Sequence, residues 1–199
     1  MNKKILNNWK RVCQTKNHVP INYVHIPKTG GTFVNYVLAQ TKIKPTSMYT
    51  KGSHPSKKNK NNINFTVIRH PVDRFESYLN YKYGRGIHNL DRPKKKASLN
   101  KIVSNMTIKQ LKNFKKKFRP IKHYSKNIDI FITINMFNYL LLFLKYDIDI
   151  ENCKYKNVSL KVRGSLNKRN RAIIEEFYKE DMILYNNLKR KKLIYEPVN

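Results

Sequence analysis

The chain has 199 residues, enough for one domain with a full hydrophobic core. Apolar residues make up 40% of it, including 13 Tyr and 9 Phe, which excludes a disordered composition. Lys and Arg number 42 against 12 Asp and Glu, and the resulting net charge of +30 draws polyanions: nucleic acid, an acidic glycan, an anionic membrane or a multiply phosphorylated cofactor.

The opening stretch, MNKKILNNWKRVCQ, is basic and has no apolar run long enough for a signal peptide. Cys13 and Cys153 show no CxxC spacing, so neither a zinc site nor a redox motif is indicated, and two free buried thiols are expected. INYVHI (21–26) reads as a short buried strand that ends at Pro27. Thr32 to Gln40 has apolar residues at 33, 34, 37 and 38, which is helical spacing. Residues 42–62 carry Pro, Gly, Ser and Lys without a period and read as a long loop. NFTVI (64–68) is a second strand. Pro71 then opens a helix, VDRFESYLNYKY, with Phe75, Tyr78, Leu79 and Lys82 on one face.

Residues 84–97 form a basic loop. The spacing predicts a helix or two over 98–118, broken by Pro120. IDIFITI (128–134) alternates as a third strand. A buried helix is expected from Asn135 to Tyr146; the apolar run inside it, 136–144, is too short to span a bilayer. YKNVSLKV (155–162) reads as a fourth strand or extended segment. A helix pair follows from Arg169 to Arg190, with Ile173, Ile174, Phe177, Ile183, Leu184 and Leu188 inward. Strands alternating with helices predict a single α/β domain, 1–199: three layers, P-loop-like, with a short central parallel sheet flanked by helices. Its ligand site belongs at the C-terminal ends of the strands.

Two stretches carry chemistry. In HIPKTGGT (25–32), Gly30 and Gly31 let backbone N–H groups converge on an anion at a helix N-terminus. Lys28 adds a mobile positive charge, and Thr29 and Thr32 add hydroxyls. The lysine precedes the glycines, whereas a Walker A loop places it after them. The competing reading is a tight turn with a solvated lysine. In VIRHPVDRFESYLNY (67–81), Arg69 at a strand end can grip a phosphate bidentately, and Ser77 on the next helix can donate to the same oxygens. The competing reading pairs Arg69 with Asp73 and leaves Ser77 in water.

Taken together, the two stretches resemble the membrane-type carbohydrate sulfotransferases, the Golgi family that includes the heparan sulfate 2-O-sulfotransferases. The resemblance implies that PKTGGT holds the 5′-phosphosulfate of 3′-phosphoadenosine 5′-phosphosulfate (PAPS). It implies that the R-x-P-x-x-R-x-x-S segment, here Arg69, Pro71, Arg74 and Ser77, holds the 3′-phosphate. It extends more weakly through FRPIKHYSKNIDIFI (118–132), KNVSLKV (156–162) and FYKEDMILYNNL (177–188). One departure is Ile121 and Lys122, where the family pattern has a glutamine after FRP.

The implied activity is transfer of a sulfuryl group from PAPS to a carbohydrate hydroxyl by in-line displacement. No metal is required. Lys28 would stabilise the leaving phosphate. Catalysis also needs a base for the acceptor hydroxyl. His54, His70, Glu76, His88 and His123 are the candidates. His54 is chosen because it lies between the two motifs, where some relatives carry theirs. His25 is expected to pack or to orient Lys28, and His70 to point away from the cofactor. Ser159, Lys161 and Arg163 are further candidates for the nucleotide. Lys94, Lys95, Lys96, Lys115, Lys116 and Lys117, with Tyr81 and Tyr83 to stack on sugars, suit an acidic glycan acceptor.

No specific nucleic acid and no transmembrane segment are expected. Most of the family carry a membrane anchor, so this chain reads as a soluble microbial or viral form, or as a piece of a longer protein. Other readings stay open: a P-loop kinase, a nucleic-acid-binding module, and a sulfotransferase that has kept its pocket but lost activity.

Overall fold

The computed structural model of the chain describes residues 2–15, 21–40, 62–84, 98–126, 128–144 and 164–195. Three short strands, β1 (Ile21–Tyr23), β2 (Ile63–Val67) and β3 (Ile130–Ile132), form a parallel sheet in the order β1-β2-β3. Tyr23 lies opposite Phe65, and Phe65 lies opposite Ile130. The fourth strand expected at 155–162 lies outside the described residues.

β2 is buried at all five positions, so both of its faces are covered. Ile63, Phe65 and Val67 supply one apolar face, with Phe65 stacked on Phe137 at 6.3 Å. The other face is polar, and its groups bond to each other. Asn22 Nδ2 donates to Asn64 Oδ1 at 2.8 Å, and Thr66 Oγ1 donates to the Val24 carbonyl at 2.6 Å. Buried amides and hydroxyls are tolerated when paired in this way.

The helices are α1 (Lys3–Thr15), α2 (Gly31–Gln40), α3 (Pro71–Gly84), α4 (Leu99–Ser104), α5 (Ile108–Lys117), α6 (Ile121–Ser125), α7 (Phe137–Phe143), α8 (Lys168–Phe177) and α9 (Lys179–Arg190). They flank the sheet and make two apolar clusters. One joins the sheet to α1, α2, α7 and α9 through Trp9, Val34, Phe65, Phe137 and Tyr185. The other joins α3, α4, α5 and α8 through Phe75, Leu79, Leu99, Phe114 and Ile174.

Several elements differ from the sequence expectation. α1 is a helix because Ile5, Trp9 and Val12 fall on one stripe, and Trp9 packs against Phe143 at 5.5 Å. The 98–118 region, expected as a helix or two, is two helices, since Thr107 and Gln110 form a capping box that starts α5 afresh. α5 ends at Lys117, ahead of Pro120 as expected, and Pro120 then stands at the start of a further short helix, α6, that was not expected. The helix expected from 135 begins as a single 3-10 turn, Ile134–Met136. In α8 and α9, Ile173 and Ile183 face outward (38% and 60% exposed), while Asn170, Asp181 and Tyr185 are buried in their place. Cys13 is a free, partly buried thiol, and burial raises its pKa; Cys153 lies outside the described residues. Among the described residues no helix is long and apolar enough to cross a membrane.

Candidate functional site

Parallel strands deliver their C-terminal ends to one edge of the sheet, and that edge is where open α/β sheets bind ligands. Here β1 leads into residues 24–30, β2 into 68–70 and β3 into 133–136. The last rungs of the ladder, Val24 N to the Phe65 carbonyl and Ile68 N to the Ile132 carbonyl, are both 2.8 Å. They hold the three exits side by side.

The first exit is a tight turn. Thr29 Oγ1 donates to the Ile26 carbonyl at 2.8 Å. Lys28 and Gly30 have positive φ, 67° and 99°. Gly30 is free to adopt this conformation, but Lys28 is strained by it. Both glycines are also close-approach positions. A Cβ at Gly30 would lie 2.9 Å from Ile134 Cδ1, and a Cβ at Gly31 would overlap the His25 imidazole. Val34 N donates to the Gly30 carbonyl at 3.1 Å as the first bond of α2. The N–H groups of Gly31 and Thr32 come before that bond and so have no acceptor within the helix. Thr32 is exposed at this end. Thr29 is 3% exposed and its hydroxyl proton is committed to Ile26, so it shapes the turn rather than presenting the hydroxyl the sequence suggested.

The Lys28 ammonium lies over the Tyr81 ring, 4.1 Å from its centre. This makes Tyr81 a rest for the lysine, where a sugar platform was expected. Arg74 Nε donates to the Pro27 carbonyl at 2.9 Å. Arg74, Ser77 and Tyr81 are spaced by three and four residues on α3 and share one stripe. Ser77 therefore lies between two residues that touch the 27–28 turn, and it is partly exposed.

Arg69 follows β2 and is exposed. Asp73, its alternative partner from the sequence, pairs instead with Arg171 at 2.9 Å. Among the described residues Arg69 has no ion-pair or hydrogen-bond partner. Lys28, Arg69 and Ser77 thus come from one strand-end edge and the helix beside it, and the two motifs touch through Arg74.

The candidate bases fall differently. His70 packs edge-on against Tyr185 at 5.3 Å. His123 is exposed and accepts from Arg119 Nη1 at 2.9 Å. Glu76 is turned towards α8: it accepts from Leu166 N at 3.1 Å and lies 3.8 Å from Arg171. His25 packs on Gly31, as the sequence reading had it. His54 and His88 lie outside the described residues, as do Lys94, Lys95, Lys96, Ser159, Lys161, Arg163 and the side chains of Tyr83 and Lys117. Lys115 and Lys116 lie on α5, and the Lys115 ammonium sits over the Phe177 ring at 5.3 Å. Among the described residues no three His, Cys, Asp or Glu lie close enough to hold a metal ion.

Sequence reasoning missed Asp181. It is 1% exposed and accepts from Ile121 N at 2.7 Å and Lys122 N at 2.9 Å. Their N–H groups are the first two of α6, so the carboxylate caps that helix. Burial raises the Asp181 pKa, against the lowering effect of these N–H donors and of Arg74. Burial also pushes Arg74 down to about 10, with Asp181 opposing. The available signal was an acid in the apolar stripe of α9, at helical spacing from Tyr185 and Leu188.

No family model, curated protein or solved structure matches the chain.

Proposed function

We propose that the chain is a sulfotransferase that moves the sulfuryl group of PAPS to a hydroxyl of an acidic carbohydrate. The observation that carries this reading is the pairing of PKTGGT with R-x-P-x-x-R-x-x-S, and the contact between the two motifs through Arg74 and Pro27 supports it. The donors present suit a ligand with two separated anionic groups. One set is Lys28, Thr32 and the N-terminus of α2; the other is Arg69, which has no protein partner among the described residues, with Ser77. The same reading takes the sheet as the centre of a three-layer, P-loop-like domain.

In this proposal bound PAPS supplies the sulfuryl group and a phosphate leaving group. Lys28 exchanges the Tyr81 ring for the leaving phosphate and stabilises its developing charge. A surface cation–π contact is worth about 0.5–1 kcal/mol, so the lysine leaves it readily. Gly31 and Thr32 direct N–H groups at the same anion. Arg69 and Ser77 hold the 3′-phosphate and fix the nucleotide in line with the acceptor. His54 takes the acceptor proton, and the basic surface holds the acceptor.

The test uses adenosine 3′,5′-bisphosphate and labelled PAPS. The bisphosphate should raise the melting temperature without Mg²⁺. The labelled donor should transfer to at least one member of a panel of acidic glycans, and Lys28→Ala should abolish that transfer. No thermal shift at millimolar bisphosphate would overturn the proposal. Unchanged turnover in His54→Ala, with cofactor binding intact, would move the base elsewhere.

A further inference from the structure

Arg74 belongs to the second motif by sequence, yet its side chain is spent on the first. It is 1% exposed. Nε donates to the Pro27 carbonyl at 2.9 Å, and Nη2 donates to the Arg119 carbonyl at 3.0 Å. The guanidinium lies 3.9 Å from the centre of the Phe118 ring, and Nη1 is 4.0 Å from the Asp181 carboxylate. A charge this deep is held only because its donors are satisfied and a counter-charge is near.

The Pro27 carbonyl and the Lys28 nitrogen belong to the same rigid peptide plane. The φ of Lys28 is the rotation that follows that plane. Arg74 fixes the plane, and the Thr29 bond to Ile26 closes the turn around it. Lys28 is thereby held at φ 67°, a region that costs a non-glycine residue roughly 1–3 kcal/mol. Released from the clamp, Lys28 would relax to negative φ. Its side chain would then swing off the stripe of α3 that carries Ser77 and Tyr81.

We infer that Arg74 is a positioning residue: through the Pro27 carbonyl it locks Lys28 in the left-handed conformation and aims it along α3, and it does not itself bind the anion. The activity readouts below rest on the sulfotransferase reading. The loop readout does not.

The variant is Arg74→Lys, which keeps a cation but loses the planar fork that reaches two carbonyls at once. Three results are expected. Amide hydrogen exchange at Val34, whose N–H bonds to the Gly30 carbonyl of the loop, should speed up on the order of tenfold, the value of one lost hydrogen bond. The kcat for sulfuryl transfer should fall by on the order of 10²-fold, because the lysine is misplaced. The preference for adenosine 3′,5′-bisphosphate over adenosine 5′-monophosphate should stay as in the wild type.

Loss of that preference would show that Arg74 grips the 3′-phosphate, and the inference would fall. Unchanged exchange at Val34 would overturn it equally. If the wild type binds no bisphosphate, the sulfotransferase reading has failed, and exchange at Val34 alone decides the positioning role. If Arg74→Lys does not fold, the pair Arg74→Gln with Asp181→Asn removes both buried charges, and the same readouts apply to it.

Discussion

Lys28 shows how far single residues were legible. Its place ahead of two glycines was visible in the sequence, and so was the chemistry of an ammonium beside converging N–H groups. Its left-handed backbone was not, because glycine is the usual signal for positive φ and here a lysine shares that role with Gly30. Gly31 matters for a different reason: the His25 ring occupies the space of its missing side chain. Gly31→Ala should therefore destabilise the fold by about 1–3 kcal/mol through overpacking, as measured by urea unfolding. In a His25→Ala background the sign should reverse, since alanine is the better helix residue once the clash is gone. A destabilisation that persists in the double variant would count against the contact. Asp181 makes a pH prediction. Burial keeps its folded pKa above the unfolded value near 3.8. The folded state thus retains a proton that the unfolded chain has already released. The stability from that proton is complete below pH 3.8 and is lost as pH rises through the raised folded value. Wild type measured against Asp181→Asn by chemical denaturation should lose relative stability over that window. A flat difference would remove the buried-acid assignment.

Among the elements, α3 carries the most and was also the best read. Its helical period was plain, and Phe75 and Leu79 are fully buried as expected. What the period could not show is that the helix serves three neighbours. The Arg74, Ser77 and Tyr81 stripe meets the turn after β1, Phe75 and Tyr78 meet Phe114 and Phe118, and Glu76 meets Arg171 of α8 and Leu166 ahead of it. That is why Glu76, a candidate base from its position in the motif, has a structural task instead. Phe75 sits among Phe114, Phe118 and Tyr178, so Phe75→Ala should cost about 3–5 kcal/mol in denaturant unfolding. A loss below 1 kcal/mol would mean this cluster contributes little. α1 and α6 went unread for physical reasons. The apolar stripe of α1 is diluted by lysines and asparagines, and α6 depends on a cap from Asp181, 60 residues away.

At the scale of the whole molecule, the parallel sheet followed from the alternation of strands and helices, but the strand order could not. The contacts that set it join residues 42 and 65 positions apart, and no local pattern encodes a partner at that range. The net charge of +30 makes its own prediction. If basic side chains hold the acceptor, binding to a heparin-like glycan should release condensed counterions, as at nucleic acid. Affinity should then fall on the order of 10³-fold between 50 and 200 mM salt. A salt-independent affinity would show that the charge is not the acceptor surface. The hub around Arg74 adds a consequence for how the protein is made. Pro27 and Lys28 leave the ribosome early, but α9 brings in Asp181, which neutralises the arginine holding them, and Tyr185, which backs His70. Until residue 181 has emerged, the buried guanidinium lacks its counter-charge. The working geometry of the turn should therefore arrive in one step, only after α9 has been made. Chains stalled before α9 should be cut by protease at the 27–32 turn, whereas chains that include α9 should resist.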